Sequence, residues 1–406
     1  MKIGIITNLY PPFIRGGAEI IASIEAEGLK KAWQHVFVIS SRPHNVKIKN
    51  APLIKSPDFI SVDELNEVPV FRFSPINIYY YLNDFKYPGF VRMLWHFIDM
   101  FNVFTYFKVK KILEKEKPDV IITHNLMGLG FLIPMLLRKL KIKHVHTIHD
   151  VQMVTPSGLI IYGKENAWQH KFFKMIGYVS AMRWLMGSPD IVVSPSKFLL
   201  DFYEQSKFFA KSKKVVLPNP VKTFVKMEPK PSYNLELLYL GQMHKAKGVL
   251  ELIKSFRKLK IKDIRLHIVG VGVDLEAAKK LANGDKRILF HGWLNHNMLL
   301  PLMAKADVLV VPSLCYENSP TVIYESLGMG MPVLAADIGG VAELIKEGLN
   351  GWVFPANDWE AMNKKILGIQ KQRDKVKAMG DNCRVSVKDN SLEKYTDKIL
   401  KLIHNE

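Results

Sequence analysis

Short apolar runs alternate with longer stretches of helical period almost from one end of this chain to the other. The runs fall at 2–8 (KIGIITN), 35–40, 70–74, 119–125, 143–150, 191–196 and 214–218. After residue 234 the alternation begins again, at 235–241, 264–269, 287–291, 307–312 and 332–336. Continuous apolar runs suit strands covered on both faces, and strands separated by helices build parallel, doubly wound sheets. Two such sets in 406 residues predict an α/β protein of two domains, each able to bury its own core. The Pro- and Lys-rich run at 226–234, KMEPKPSYN, reads as the linker. It sets a first domain at 1–228 and a second at 229–390, followed by an amphipathic helix at 391–406.

One stretch organises the rest: 307–337, DVLVVPSLCYENSPTVIYESLGMGMPVLAAD. It reads as strand, loop, helix, strand. Ser319 is the expected N-cap and Pro320 the first helical residue, with Gly328 and Gly330 at the end. Glu317 then lies in the loop at the carboxyl end of a strand, where open α/β sheets bind ligands. Glu325 sits about one and a half turns into the helix. A helix N-terminus attracts anions, and a carboxylate just inside it can accept hydrogen bonds from ribose hydroxyls. The pattern suits a nucleoside diphosphate, with Asn318, Ser319 and Pro320 against the phosphates. A second strand-to-helix turn, YPPFIRGGAEI, puts the bare backbone of Gly16 and Gly17 at the start of a helix over 18–33, where phosphate or sugar can approach closely.

Other features narrow the chemistry. In KHVHTIHD, His144 and His146 share one strand face while His149 points to the other, so a zinc site is not expected; His149 and Asp150 close the strand instead. IVGVGVDLEA has Gly270 and Gly272 between strand and helix, but Leu275 stands where a dinucleotide fingerprint needs its third glycine. Neither a nicotinamide cofactor nor a resident metal is expected. Two cysteines, Cys315 and Cys383, offer no disulfide framework and point to a reducing compartment. Cys315 reads as a small buried hydrophobe. MKIGIITNLYPP is broken too early by proline to be a signal peptide, and no run of 18 or more apolar residues predicts a spanning helix.

Charge adds a partner. Of the net +19, residues 1–230 hold +14, with 32 Lys and Arg against 18 Asp and Glu. Such a surface attracts polyanions. Two segments of the same half, 85–107 (FKYPGFVRMLWHFIDMFNVFTYF) and 168–184 (WQHKFFKMIGYVSAMRW), mix aromatic, aliphatic and basic residues as interfacial helices do; the first also suits a buried helix. Together these features indicate an anionic membrane surface rather than nucleic acid.

The pair Glu317 and Glu325, followed by SLGMGMPVLAADIGGVAELI, resembles the E-x7-E signature of the family-four retaining glycosyltransferases. GGAE resembles that family's glycine-rich first loop, LPNP its turn before the interdomain hinge, and HGW at 291–293, with Gly292, the loop beside the nucleotide base. The resemblance implies the GT-B fold, two Rossmann-like domains facing across a cleft, with the final helix packing back onto the first domain. It implies a nucleoside diphosphate sugar as donor, no cofactor or metal, and a saccharide or lipid-linked acceptor. His124, ending DVIITHN, matches the histidine that touches the donor sugar from the N-terminal domain. Lys247, in LGQMHKAKGVLELI, matches the lysine on the diphosphate, whereas the family's arginine is replaced by Gln242, which brings no charge. Glu317 would hold the sugar and Glu325 the ribose. Resemblance thus implies a retaining hexosyl- or N-acetylhexosaminyl-transferase of polysaccharide or glycolipid synthesis, and the cysteine usage, the basic first half and its aromatic segments place it in the cytoplasm, peripheral on the inner face of the plasma membrane. Two other readings share the fold: a nucleotide-sugar epimerase, and an inactive nucleotide-sugar-binding protein.

Overall fold

The structure, a computed structural model, describes residues 1–44, 59–167, 177–221 and 232–404. The expected linker lies largely outside them, as do residues 168–176 of the second aromatic and basic segment. The chain forms two compact units, one of Met1–Leu159, Ala167–Pro220 and the C-terminal helix, the other of Ile160–Asn166 and Val221–Ser391.

The first unit is built on eight strands: β1 Lys2–Ile6, β2 His35–Ser41, β3 Ser61–Leu65, β4 Val68–Phe73, β5 Val120–Thr123, β6 Lys143–Thr147, β7 Ile191–Ser194 and β8 Lys213–Val216. Their order is β3-β4-β2-β1-β5-β6-β7-β8. All pairs are parallel except β3 with β4, a hairpin turned by Asn66 and Glu67, both at positive φ. Buried Ile3, Ile5, Val38, Val120, Ile122, Val145 and Val193 form the middle of the sheet, as the unbroken apolar runs require. Helix α1, Gly17–Lys31, packs on the C-terminal helix Leu392–His404 so closely that a Cβ on Gly28 would lie 2.4 Å from Thr396 Oγ1. Helices α2, Gly89–Met100, and α3, Val103–Glu116, precede β5.

The second unit has six parallel strands: β9 Leu235–Leu240, β10 Ile264–Val269, β11 Ile288–Gly292, β12 Val308–Val311, β13 Val333–Asp337 and β14 Gly351–Pro355, ordered β11-β10-β9-β12-β13-β14. The order reverses between β9 and β12, and ligands of such sheets bind outside the carboxyl ends of the strands at this point. The loops after β9 and β12 carry Lys247 and Glu317. No described helix is long and apolar enough to cross a membrane.

Candidate active site

In the second unit, two loops are locked together by backbone. Leu314 N and Cys315 N both donate to Ala246 O, at 2.9 and 3.0 Å, and Gly248 (φ +74°) runs so close to the β12 loop that a Cβ there would lie 1.8 Å from Pro312 O. Only glycine fits this contact. Lys247 ends a short 3₁₀ turn, Lys245–Lys247, whose His244 caps it by accepting from Ala246 N through Nδ1 at 3.1 Å. The side chain is thereby delivered to Glu317. Lys247 Nζ donates to Glu317 Oε1 at 2.6 Å, and Ser313 Oγ donates to the same oxygen at 2.8 Å. Gly340 N fixes the Glu317 backbone by donating to its carbonyl at 2.7 Å, made possible by Gly339 at φ +63°. Burial works to lower the Lys247 pKa, but the Glu317 carboxylate outweighs it and the net shift is upward. The ammonium is therefore charged at any physiological pH. Cys315 is a buried thiol pushed up to about 12, chiefly by burial and then by Glu317, which leaves it inert as a nucleophile and bears out its reading as a small hydrophobe.

The helix that follows is Thr321–Gly328, with extended Pro320 at the N-cap. This corrects the expected boundary by one residue: Pro320 is not the first helical position, and Ser319 lies outside the helix with its Oγ 2.6 Å from Tyr324 Oη. Pro320 serves as the cap because its fixed φ, here −61°, combines with an extended ψ of 121°. Glu325 lies one and a quarter turns in. Burial alone pushes its carboxyl up to about 7, and among the described residues that carboxylate has no hydrogen-bond or ion-pair partner. A half-sequestered acid without a partner leaves its hydrogen-bonding capacity unfilled.

A further piece of this unit was not legible from sequence. Residues Ile160–Asn166, spliced in from the middle of the first unit's sequence, lie along the Glu317 loop: Ile161 bridges Cys315, Tyr162 N donates to Leu314 O at 2.8 Å, and Tyr316 Oη donates to Glu165 Oε1 at 2.9 Å. Ser313 was also missed, although its position two residues past β12 places it at a ligand-binding strand end. Gln242 is exposed, with its carbonyl held by Tyr239 Oη at 2.8 Å. Gly270 (φ +135°) is a backbone contact, since a Cβ there would lie 1.9 Å from Gly241 O. Gly292 (φ +65°) faces open space and sets off exposed Trp293.

In the first unit the glycine-rich turn is occupied by the protein itself. Gly16 N donates to Glu19 Oε2 at 2.8 Å, capping α1, and Gly17 opens the helix. His124, at the end of β5, is 0% exposed. Its Nδ1 is hydrogen-bonded to His149 Nε2 at 2.8 Å, the rings stack at 5.1 Å, and its Nε2 lies 3.4 Å from Glu25 Oε2, which accepts from Tyr395 Oη at 3.1 Å. Burial holds both imidazoles below their usual range, His149 at about 4, and pushes Glu25 up to about 7. Glu25 and Tyr395, 370 residues apart, carry no local signal of this contact. Half-buried His149 is the more accessible member. Beside it, burial pushes Asp150 up to about 6 while Gln152 N and Asn125 Nδ2 donate to its carboxylate at 2.9 and 3.3 Å. His144 and His146 both bond Thr123 Oγ1 and are buried; among the described residues no cluster of three or more His, Cys, Asp or Glu could hold a metal.

This chemistry has known counterparts. Residues 15–223 match the model described as Glycosyltransferase Family 4, and residues 222–386 the one described as Glycosyl transferases group 1. An uncharacterized 42.6 kDa protein in the cps region of Klebsiella pneumoniae is 26% identical over 346 residues, 85% of this chain and 87% of the relative. Among solved structures, sucrose-phosphate synthase from Thermosynechococcus elongatus superposes with a TM-score of 0.78 at 18% identity, covering 100% of this chain and 98% of the other. Anabaena HepE in complex with UDP-glucose gives 0.71 at 16% identity, with full coverage of both chains. The fold is that of the GT-B glycosyltransferases.

Proposed function

Since the chain belongs to glycosyltransferase family 4, we propose that it moves a hexosyl or N-acetylhexosaminyl group, with retention, from a nucleoside diphosphate sugar to a saccharide or lipid-linked acceptor of cell-surface polysaccharide or glycolipid synthesis. The observation that carries this reading is Glu325, a partnerless, half-sequestered carboxylate just over one turn inside a helix whose preceding loop presents Glu317, ion-paired with Lys247 of the loop after β9. In this reading Glu325 accepts from the ribose hydroxyls and Lys247, with the N-terminus of Thr321–Gly328, takes the diphosphate. Glu317 holds the sugar. The free protein pairs Glu317 with Lys247, which keeps the ammonium extended before donor arrives. The acceptor binds on the first unit, where Asp150 and His149 are the accessible polar groups, and His124 supports His149 from below. The sugar's bond to the phosphate oxygen breaks as the acceptor oxygen bonds to the same anomeric carbon, on the same face, and the acceptor's proton passes to the departing phosphate. A charged lysine and a helix dipole supply the stabilisation of the leaving group that a metal ion supplies elsewhere, so the reaction is metal-independent. The relative in a cps region and the neighbour that holds UDP-glucose support this donor and pathway class. The enzyme works at the cytoplasmic face of an anionic membrane.

The test is release of nucleoside diphosphate from a panel of nucleoside diphosphate sugars in chelator, with a bacterial glycolipid extract as acceptor and the product's anomeric configuration read by NMR. Retained product formed in chelator supports the reading. Bare binding without release indicates an inactive binding protein, and epimerised sugar an epimerase; either outcome overturns it.

A further inference from the structure

Helix α2 is amphipathic the wrong way round. A surface helix ordinarily turns its apolar stripe inward. Here the inward positions Trp95, Asp99 and Met100 are secured partly by polar bonds: Asp99 Oδ2 accepts from Gly128 N at 2.8 Å, Trp95 Nε1 donates to Tyr79 O at 2.7 Å, and Asn77 Nδ2 donates to Trp95 O at 3.2 Å. The outward positions are apolar. Phe90, Met93, Leu94, Phe97, Ile98 and Phe101 recur at i, i+3, i+4, i+7, i+8 and i+11, one face of a helix, each 37–72% exposed. Helix α3 continues the patch with Val103, Phe104 and Phe107, 51–60% exposed, while its own inner face, Val109, Ile112 and Leu113, is buried in the ordinary way. Nine large apolar side chains on two consecutive helices exceed the scatter expected of a soluble surface.

The rim of this patch is basic. Lys86 precedes α2, and Lys110, Lys111 and Lys115 occupy the second half of α3, with Lys117 just beyond. The acids of the region are spent: Asp99 is buried, Asp84 is paired with Arg92 at 2.9 Å, Glu116 with Lys2 at 2.8 Å and Glu114 with Lys110 at 3.5 Å. A second copy meeting on this face would set like-charged lysines against each other. Twelve residues at 1.5 Å each are too short to cross a bilayer, and the inward face of α2 is already packed on the first unit through Trp95 and Met100. An apolar stripe with a lysine rim is the geometry of a helix lying in a headgroup layer, its rings at the acyl boundary and its ammonium groups on lipid phosphates.

We propose that the outer face of α2 and α3 docks the protein on an anionic lipid bilayer, with Phe97 and Phe104 inserted and Lys111 and Lys115 on the headgroups. The inference deepens the proposed membrane-face reaction and rests on that part of it. It makes the first unit's lipid contact a specific surface rather than a diffuse property of its charge.

The test is flotation of the full chain with vesicles of phosphatidylcholine alone or mixed with phosphatidylglycerol, without donor, with UDP-glucose affinity measured by calorimetry on the same preparations. The wild type floats with the anionic vesicles and is released by salt. F97S/F104S loses flotation while keeping its melting temperature and nucleotide affinity, because both rings point away from the core. K111S/K115S binds anionic vesicles roughly tenfold or more less tightly, from about 1 kcal/mol per lysine. Flotation with neither vesicle, equal flotation with both, or flotation unchanged in F97S/F104S overturns the proposal, as does a dimer of the wild type abolished by F97S/F104S in the absence of flotation. Nucleotide binding without flotation leaves the donor reading standing; flotation without nucleotide binding leaves only the docking surface.

Discussion

Donor affinity should follow the ionisation of Glu325. Burial pushes this carboxyl up to about 7, and no charged neighbour contributes to the shift. Only the ionised form accepts from both ribose hydroxyls, so binding must first remove the proton. With a free-state pKa of about 7, the apparent dissociation constant scales as one plus ten to the power (pKa minus pH): about 1.1 at pH 8, 2 at pH 7 and 11 at pH 6. A nucleoside diphosphate sugar that the protein binds should therefore bind roughly tenfold more weakly at pH 6 than at pH 8, most of the loss falling below pH 7. A diphosphate sugar is the right probe because it lacks the terminal phosphate monoester that itself titrates near pH 6. Burial holds the His244 and His291 imidazoles below their usual range, and Lys247, raised by Glu317, stays charged across this window. Calorimetry at pH 6, 7 and 8 reads the effect directly. Glu325→Gln should cost about 1–3 kcal/mol at pH 8 by losing the charged acceptor, and its affinity should be flat with pH. A wild-type profile as flat as that of Glu325→Gln would refute the role of Glu325, whatever the absolute affinity.

Gln242→Arg should tighten donor binding, because it adds a charge-assisted contact to the diphosphate in an exposed position that costs the fold nothing; weaker binding in calorimetry would mean that this loop does not face the phosphates. Gly248→Ala should lower both the melting temperature and the donor affinity, since its Cβ would lie 1.8 Å from Pro312 O and the loop carrying Lys247 must move; a variant with wild-type values of both would refute the locked-loop account. Asp99 is buried with its carboxyl pushed up to about 8, so between about pH 4 and pH 8 the native state keeps a proton that the unfolded chain has lost, and stability falls as pH rises through that window. Asp99→Asn should flatten the fall in melting temperature from pH 6 to pH 9; an unchanged slope would assign it to other groups.

The parts of the fold that were legible in sequence were those whose pattern is local. The buried strands β1, β5, β12 and β13 are nearly continuous apolar runs, and E-x7-E with its Gly339-Gly340 turn records a loop, a helix and a strand in one stretch. Strand β3, SVDEL, escaped because an edge strand with alternate residues exposed carries little apolar signal, and β14, GWVFP, because it is short and ends in proline. The inward burial of His124 depends on Glu25 and Tyr395, brought together only by the docking of the C-terminal helix on α1, and no periodicity announces a contact across 370 residues. The apolar segment at 85–107 was recognisable as an interfacial or a buried composition, but which of its faces points outward depends on the Asp99, Trp95 and Asn77 bonds that fix the rotation of α2. Ile160–Asn166 joins the second unit through backbone pairing, which is blind to side-chain identity.

The most direct test of the central claim, that the second unit holds a nucleoside diphosphate sugar through Glu325, is a thermal-shift screen of such sugars on the wild type and on Glu325→Ala. A ligand at about a hundred times its Kd adds about 2.7 kcal/mol to the native state. At least one donor should raise the wild-type melting temperature by several degrees and move Glu325→Ala far less. A panel that leaves the wild type unmoved, or that moves both proteins equally, would contradict the account.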